Sequence, residues 1–324
     1  MSIAFKAAIV CCFLALSLHA NSAVSSLLAP TAALTALVEQ GELGDLNASQ
    51  RQTIFDIDRA LNHENFSLAH TLSKQFLQQA PNLAAAHFMY AKTCLEEAKE
   101  SYLSAFSLSN KAQTHFTRAQ ELAPNNGFFM LHLTGYYHLT PWLFGGGDDD
   151  GDYWLEQLSQ RSPRYHLLAK STFHSNSDEL AELVEQAKTQ FPDDLLLHLN
   201  IGLVLIKKQE EDLAEQALLY SYQLIESQQY PHSLVQMTRY YMGFFALQNQ
   251  TQLNNGIVAL NAFIDAHNKD NNDPYFLWAH YNLASLYLEH DKEVEAKDIF
   301  GWLALNSVDA KLTKLTQKKL NMLK

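Results

Sequence analysis

The sequence predicts an all-α chain, a superhelical solenoid of antiparallel helix pairs, on three observations. Apolar residues recur at three- and four-residue spacing over most of the length, while β-branched runs are short and hairpin-type turn dipeptides rare, which selects helix over strand. Prolines at 81, 124, 163, 192, 231 and 274, each beside Asn, Asp, Ser or Tyr, end the helical runs at intervals. Within those runs a small residue repeatedly stands next to a bulky one, as two helices need if they are to approach closely with rings filling the gaps beside them.

In chain order, the first element is an export signal. Lys6, the apolar run from Ala7 to Leu18, and the small residues Ala20 and Ala23 read as a secretory signal peptide of the bacterial Sec type over residues 1–23. The run is shorter than the ~20 residues of a membrane-crossing helix, so an uncleaved anchor is the weaker reading and no stable membrane insertion is expected after cleavage. Cys11 and Cys12 lie in the middle of that run, not at its end where a lipid-bearing cysteine belongs. The expected location is periplasmic or secreted.

Loss of the signal leaves Cys94 as the sole cysteine, which excludes an internal disulfide and places stability on packing. The formal charge of −12 becomes −13 without Lys6. An acidic chain of this kind lacks the basic field that nucleic acid or anionic lipid requires, so neither is an expected partner.

Residues 24–48 combine small residues with Pro30, Gly41 and Gly44, and predict a short helix in a mobile lead-in. Residues 49–308 divide into about seven helix pairs, near 50–83, 84–126, 127–163, 164–193, 194–229, 230–272 and 273–306. Successive prolines from 81 to 231 are 43, 39, 29 and 39 residues apart, which scatters around a repeat of ~34. The last pair carries Leu283, Ala284 and Tyr287 in its first helix and Ala296 and Phe300 in its second. Ala112, Phe116, Ala119 and Pro124 repeat the second-helix pattern, and Ile201, Gly202 and Ala214 repeat the first at the 13-residue spacing of Leu283 to Ala296. Residues 309–324 form a basic capping helix that keeps Leu312, Leu315, Leu320 and Leu323 inward.

These patterns resemble the tetratricopeptide repeat family over most of the chain. The stretch AHFMYAKTCLEEAKESYLSAFSLSNKAQTHFTRAQELAPNNGFFMLHLTGYYHLTPWLFGGG resembles more narrowly an exported bacterial subgroup with a lengthened second repeat and a glycine-rich loop in the third. The resemblance implies fold and export and no specific activity. In that subgroup a Lys- and Ala-rich helix follows the glycines; here DDDGDYWLEQ follows, with Gly151 where a packing Ala is expected, so this helix pair is expected to be loose.

Few residues carry chemistry. Aligning Gly151 with the glycine of a calcium-binding EF-hand loop puts Asp148 and Asp150 at ligand positions, but Gly146 then falls on the first ligand and Gln157 on the closing acid. Acids solvated at a helix N-terminus are the plainer reading, with a nonstandard calcium site as its rival. No lysine follows the glycines as a phosphate-cradling loop requires. Histidines are plentiful, yet no HExxH occurs and no two stand four apart, so metal ligation would need convergence in space. Cys94 replaces a packing tyrosine and reads as buried and inert, and paired acids such as Glu96-Glu97 read as solvated faces. No catalytic residue, cofactor site or metal site is assigned.

The expected role is therefore non-enzymatic: a scaffold for a protein or peptide partner, with binding of a small molecule or service to a transporter as the alternative. Tyr136, Tyr137, Trp142, Phe144 and Trp154 gather about the glycine loop, and aromatic anchors dominate interaction hot spots. The first helices of successive repeats would line a groove, and His132, Asn200, Arg239 and Asn282 are the residues read as facing it, with His87, Tyr90, Met130, His198 and Ser285 beside them.

Overall fold

The computed structural model describes residues 31–100, 102–173, 175–266, 274–307 and 309–323. The expected signal peptide lies outside them. The described residues form sixteen α-helices and one 3-10 turn, with no strand among them. The chain divides into two compact units, up to Val204 and from Leu205.

In the first unit a short helix α1 (Thr31–Glu39) is followed by the pairs α2 (Ala48–Asn62) with α3 (Phe66–Gln79), α4 (Ala84–Glu100) with α5 (Tyr102–Leu122), α6 (Gly127–Leu139) with α7 (Asp148–Arg161), and α8 (Pro163–Phe173) with α9 (Ser177–Gln190). Helix α10 (Leu195–Lys208) begins here. Each first helix packs on its own partner, and α2 on α4 and α6 on α8, so first helices stack on first helices. The long second repeat is built from long helices, α5 running 21 residues.

The second unit holds α11 (Glu211–Ser227), α12 (His232–Asn249) with α13 (Leu253–Ala266), α14 (Pro274–Glu289) with α15 (Glu293–Asn306), and a last helix α16 (Ala310–Met322). It repeats the same stacking, α12 on α14 and α14 on α16. The architecture is an all-α helical repeat. Ala284, Ala296, Phe300, Leu303 and Leu312 share one buried core, so the small residues of α14 and α15 lie where the helices meet.

Local chemistry explains the boundaries. Asn47 and Asn176 open α2 and α9 with capping boxes closed by Gln50 and Glu179. Asn126, Asp194 and Asp309 accept from the first free N–H groups of α6, α10 and α16. Besides Gln250 and Gln252 between α12 and α13, three single residues that are not glycine make left-handed turns between successive helices, Glu64, Gln209 and Asp291, at φ of 55°, 62° and 57°. Each is followed by an N–H that reaches back five residues, Asn65 to Ala60, Glu210 to Leu205 and Lys292 to Tyr287. This is the Schellman closure of a helix end, which glycine usually makes.

The lead-in and the third pair both hold buried contacts. The lead-in carries buried side chains, Leu34, Leu37, Val38, Leu43 and Leu46. It is tied down at Glu42, whose carbonyl accepts from Asn126 Nδ2 at 2.8 Å and whose carboxylate pairs with Arg164. The pair α6 and α7, expected to be loose at Gly151, is filled there by the His138 ring: a Cβ on Gly151 would lie 2.5 Å from His138 Cε1. Glycine at 151 admits a ring that alanine would exclude.

Candidate functional site

Among the described residues, the connection between α6 and α7 is the one place where large apolar side chains outside a regular α-helix stand in solvent. Pro141 ends α6, a 3-10 turn covers Trp142–Phe144, and Gly145 to Gly147 lead into α7. Trp142 is 81% exposed and Leu143 47%, and Phe106, whose ring centroid is 6.4 Å from that of Phe144, adds an exposed ring from α5.

The backbone beneath them is fixed from three sides. The Tyr136 hydroxyl donates to the Phe144 carbonyl at 2.7 Å, and Ser109 Oγ reaches the same carbonyl at 3.0 Å. Burial pushes the Tyr136 phenol up to about 12, so it keeps its proton and remains a donor. Gly145 N–H donates to Trp142 and Gly147 N–H to Tyr137, at 3.1 and 3.0 Å. Gly145 takes φ of +91°, a left-handed conformation, and a Cβ on Gly146 would fall 1.7 Å from the Thr140 carbonyl oxygen. Glycine is required at both positions.

Beyond the glycines, Asp148, Asp149 and Asp150 occupy the first turn of α7, where the helix dipole favours negative charge. His138 lies beneath, 3.7 Å from Asp148 and 3.8 Å from Asp152, its ring stacked on Phe173 at 5.1 Å. Among the described residues no group of three or more His, Cys, Asp or Glu side chains is placed to hold a metal ion.

The residues singled out in sequence separate by burial. Trp142 is at the surface, and Tyr137, Phe144 and Trp154 are partly buried around the loop. Tyr136 is fully buried and acts as the loop's support. The expected groove residues are a correction: His87, Tyr90, Met130, His132, His198, Asn200, Asn282 and Ser285 are all buried, and Arg239 is half-buried. These residues lie on the packed faces of the first helices, and α6 is the extreme case, burying ten consecutive residues from Gly127 to Tyr136. His132 sits between Phe88 and Phe128, both at 4.7 Å, and burial depresses its pKa to about 3, so it is a neutral core residue.

Two histidines do converge. His87 Nε2–H donates to the Pro81 carbonyl at 3.0 Å, which leaves its Nδ1 to accept from His115 Nδ1–H at 2.8 Å. Burial depresses both, His115 to about 4, so the pair is neutral near pH 7. Cys94 is fully buried and its thiol is pushed up to about 12, the opposite of an activated nucleophile. No described helix is long and apolar enough to cross a membrane.

No family model and no curated protein matches the chain. Solved structures resemble it at low identity. One is YrrB, described as a TPR protein with an unusual peptide-binding site, 15% identical, covering 76% of this chain and 97% of that one, with a TM-score of 0.35. Others are yeast Tom70, 14% identical over 86% of this chain and 65% of that one, TM-score 0.47, and Cut9-Hcn1 of the APC/C, 13% identical over 92% and 62%, TM-score 0.43. The chain thus spans less than two thirds of the length of these last two.

Proposed function

We propose that the chain is an exported, non-enzymatic interaction protein of the tetratricopeptide-repeat type, which docks a protein or peptide partner on the raised loop Pro141–Gly147. One observation carries the reading: Trp142 stands 81% exposed on a turn whose carbonyls and N–H groups are already bonded to the body of the repeat. A large aromatic side chain held ready on a fixed backbone loses little freedom when a partner covers it, which is the character of an interface anchor. Leu143 and Phe106 widen the apolar surface around it. The small-molecule alternative needs an enclosed pocket at Trp142 and Trp154, whereas Trp142 projects into solvent.

Export is part of the same reading and rests on Lys6, the Ala7–Leu18 run and the small residues at 20 and 23. It is checked by N-terminal sequencing of the protein from the periplasm or medium, where cleavage after Ala20 or Ala23 is expected and an intact Met1 in the cytoplasm would refute it. Docking is checked by a crosslinking pull-down from intact cells. A specific protein recovered with the wild type and lost with Trp142→Ala and Phe144→Ala supports the loop; recovery unchanged by both substitutions removes it.

A further inference from the structure

The charge around the docking loop sets the chemistry of what docks there. No Lys or Arg occurs between Arg118 and Arg161, whereas Glu121, Asp148, Asp149, Asp150, Asp152 and Glu156 all fall in that interval. Asp148 and Asp152 side chains are 89% and 60% exposed, and Asp149 and Asp150 are also at the surface. The apolar part of the surface, Trp142 and Leu143, therefore adjoins a segment of one sign along the chain, with exposed Tyr153 following it in α7. The amino end of α7 contributes only about half a positive charge, against four carboxylates, so the net field there is negative.

Resting on the docking role just proposed, we infer that the partner surface is a basic peptide segment: an aliphatic or aromatic side chain that packs on Trp142, flanked by Lys or Arg side chains that face Asp148, Asp149 and Asp150. Two independent terms recommend this occupant. The indole face exposed at Trp142 attracts an alkyl or guanidinium group, and complementary charge speeds encounter while excluding acidic segments that would meet like charge. A nucleic acid is rejected by the same field. The two terms are separable because exposed charges are screened beyond about 8 Å at physiological ionic strength while apolar contact is not.

The test is fluorescence anisotropy of the full chain with three labelled peptides: a leucine core flanked by lysines, the same core flanked by glutamates, and the lysine peptide with serine in place of leucine. The first is expected to bind, and the other two to bind about tenfold more weakly or worse. Trp142→Ala should weaken the first about tenfold, and Asp149→Asn with Asp150→Asn should weaken it several-fold and flatten its salt dependence, with circular dichroism unchanged in each variant. Equal binding of the glutamate and lysine peptides, binding indifferent to both substitutions, or no binding of the lysine peptide would overturn the inference. If cellular crosslinking finds a Trp142-dependent partner whose contacting segment is acidic or uncharged, the docking role stands and this inference alone fails. If no Trp142-dependent partner exists, both fail.

Discussion

Between α6 and α7 the chain spends eight residues, Thr140 to Gly147, whereas between α12 and α13 it spends three, Gln250 to Gln252. Both pairs depend on glycine, for different ends. In α12 and α13, Gly243 and Gly256 lie inside the helices and let them touch: a Cβ on Gly243 would come 2.2 Å from Leu260 Cγ, and one on Gly256 2.5 Å from Ala246 Cβ. In the α6–α7 connection, Gly145 and Gly146 lie outside the helices and fold the backbone so that Trp142 is held outward. A glycine that closes a pair buries surface, and a glycine that shapes a connection creates it.

The comparison is broken most severely at Gly146. A Cβ there would meet a backbone oxygen, which cannot rotate away, so Gly146→Ala is expected to destabilise the third pair by more than about 3 kcal/mol in urea titration, or to open the loop. A variant as stable as wild type would show that the loop is not built as described. Acid comes next. His132 is neutral when folded, with a pKa depressed from 6.5 to about 3, so the unfolded chain binds more protons between those values. Its contribution is complete above pH 6.5 and is lost as pH falls toward 3, at a slope of up to about 1.4 kcal/mol per pH unit. His132→Leu should flatten the stability profile in that window, and an unchanged profile would remove His132 from the account.

Smaller effects sharpen the contrast. At Gly243 the obstructing atoms belong to the Leu260 side chain, which can shift, so Gly243→Ala is expected to cost about 1–3 kcal/mol in thermal unfolding. Tyr136→Phe removes the donor to the Phe144 carbonyl and should cost about 1 kcal/mol while speeding amide exchange at Gly145 and Gly147. Asp291→Gly relieves a left-handed residue at the turn of α14 and α15 and should stabilise by up to about 1 kcal/mol, where an Asp291→Ala variant should not.

The helix pairs were legible because their cause is written locally. Proline stands at helix boundaries because it is excluded from helix interiors, with Pro163 and Pro274 opening α8 and α14 and Pro231 preceding α12, and Ala284, Ala296 and Ala119 mark close approach of helices; all three are fully buried. The groove was not legible. Helical periodicity separates core from surface only where one face is wet, and α6, buried on all sides, presents no such contrast. Tyr136 and Tyr137 look alike in sequence, yet one braces the loop from the core and the other lies at its edge. The turns at Glu64, Gln209 and Asp291 escaped for a different reason: the left-handed position calls for glycine, and these residues occupy it without that mark. Gly151 looked like a missing contact because the ring that fills its space, His138, comes from the preceding helix.

The central claim, that the braced loop is where a partner sits, is tested most directly by site-specific photocrosslinking in living cells. A photoreactive residue at position 142 is compared with one at Leu305, which is 88% exposed and far along the chain. The account expects a discrete protein adduct from position 142 and none from position 305; no adduct at 142, or the same adducts from both, would contradict it.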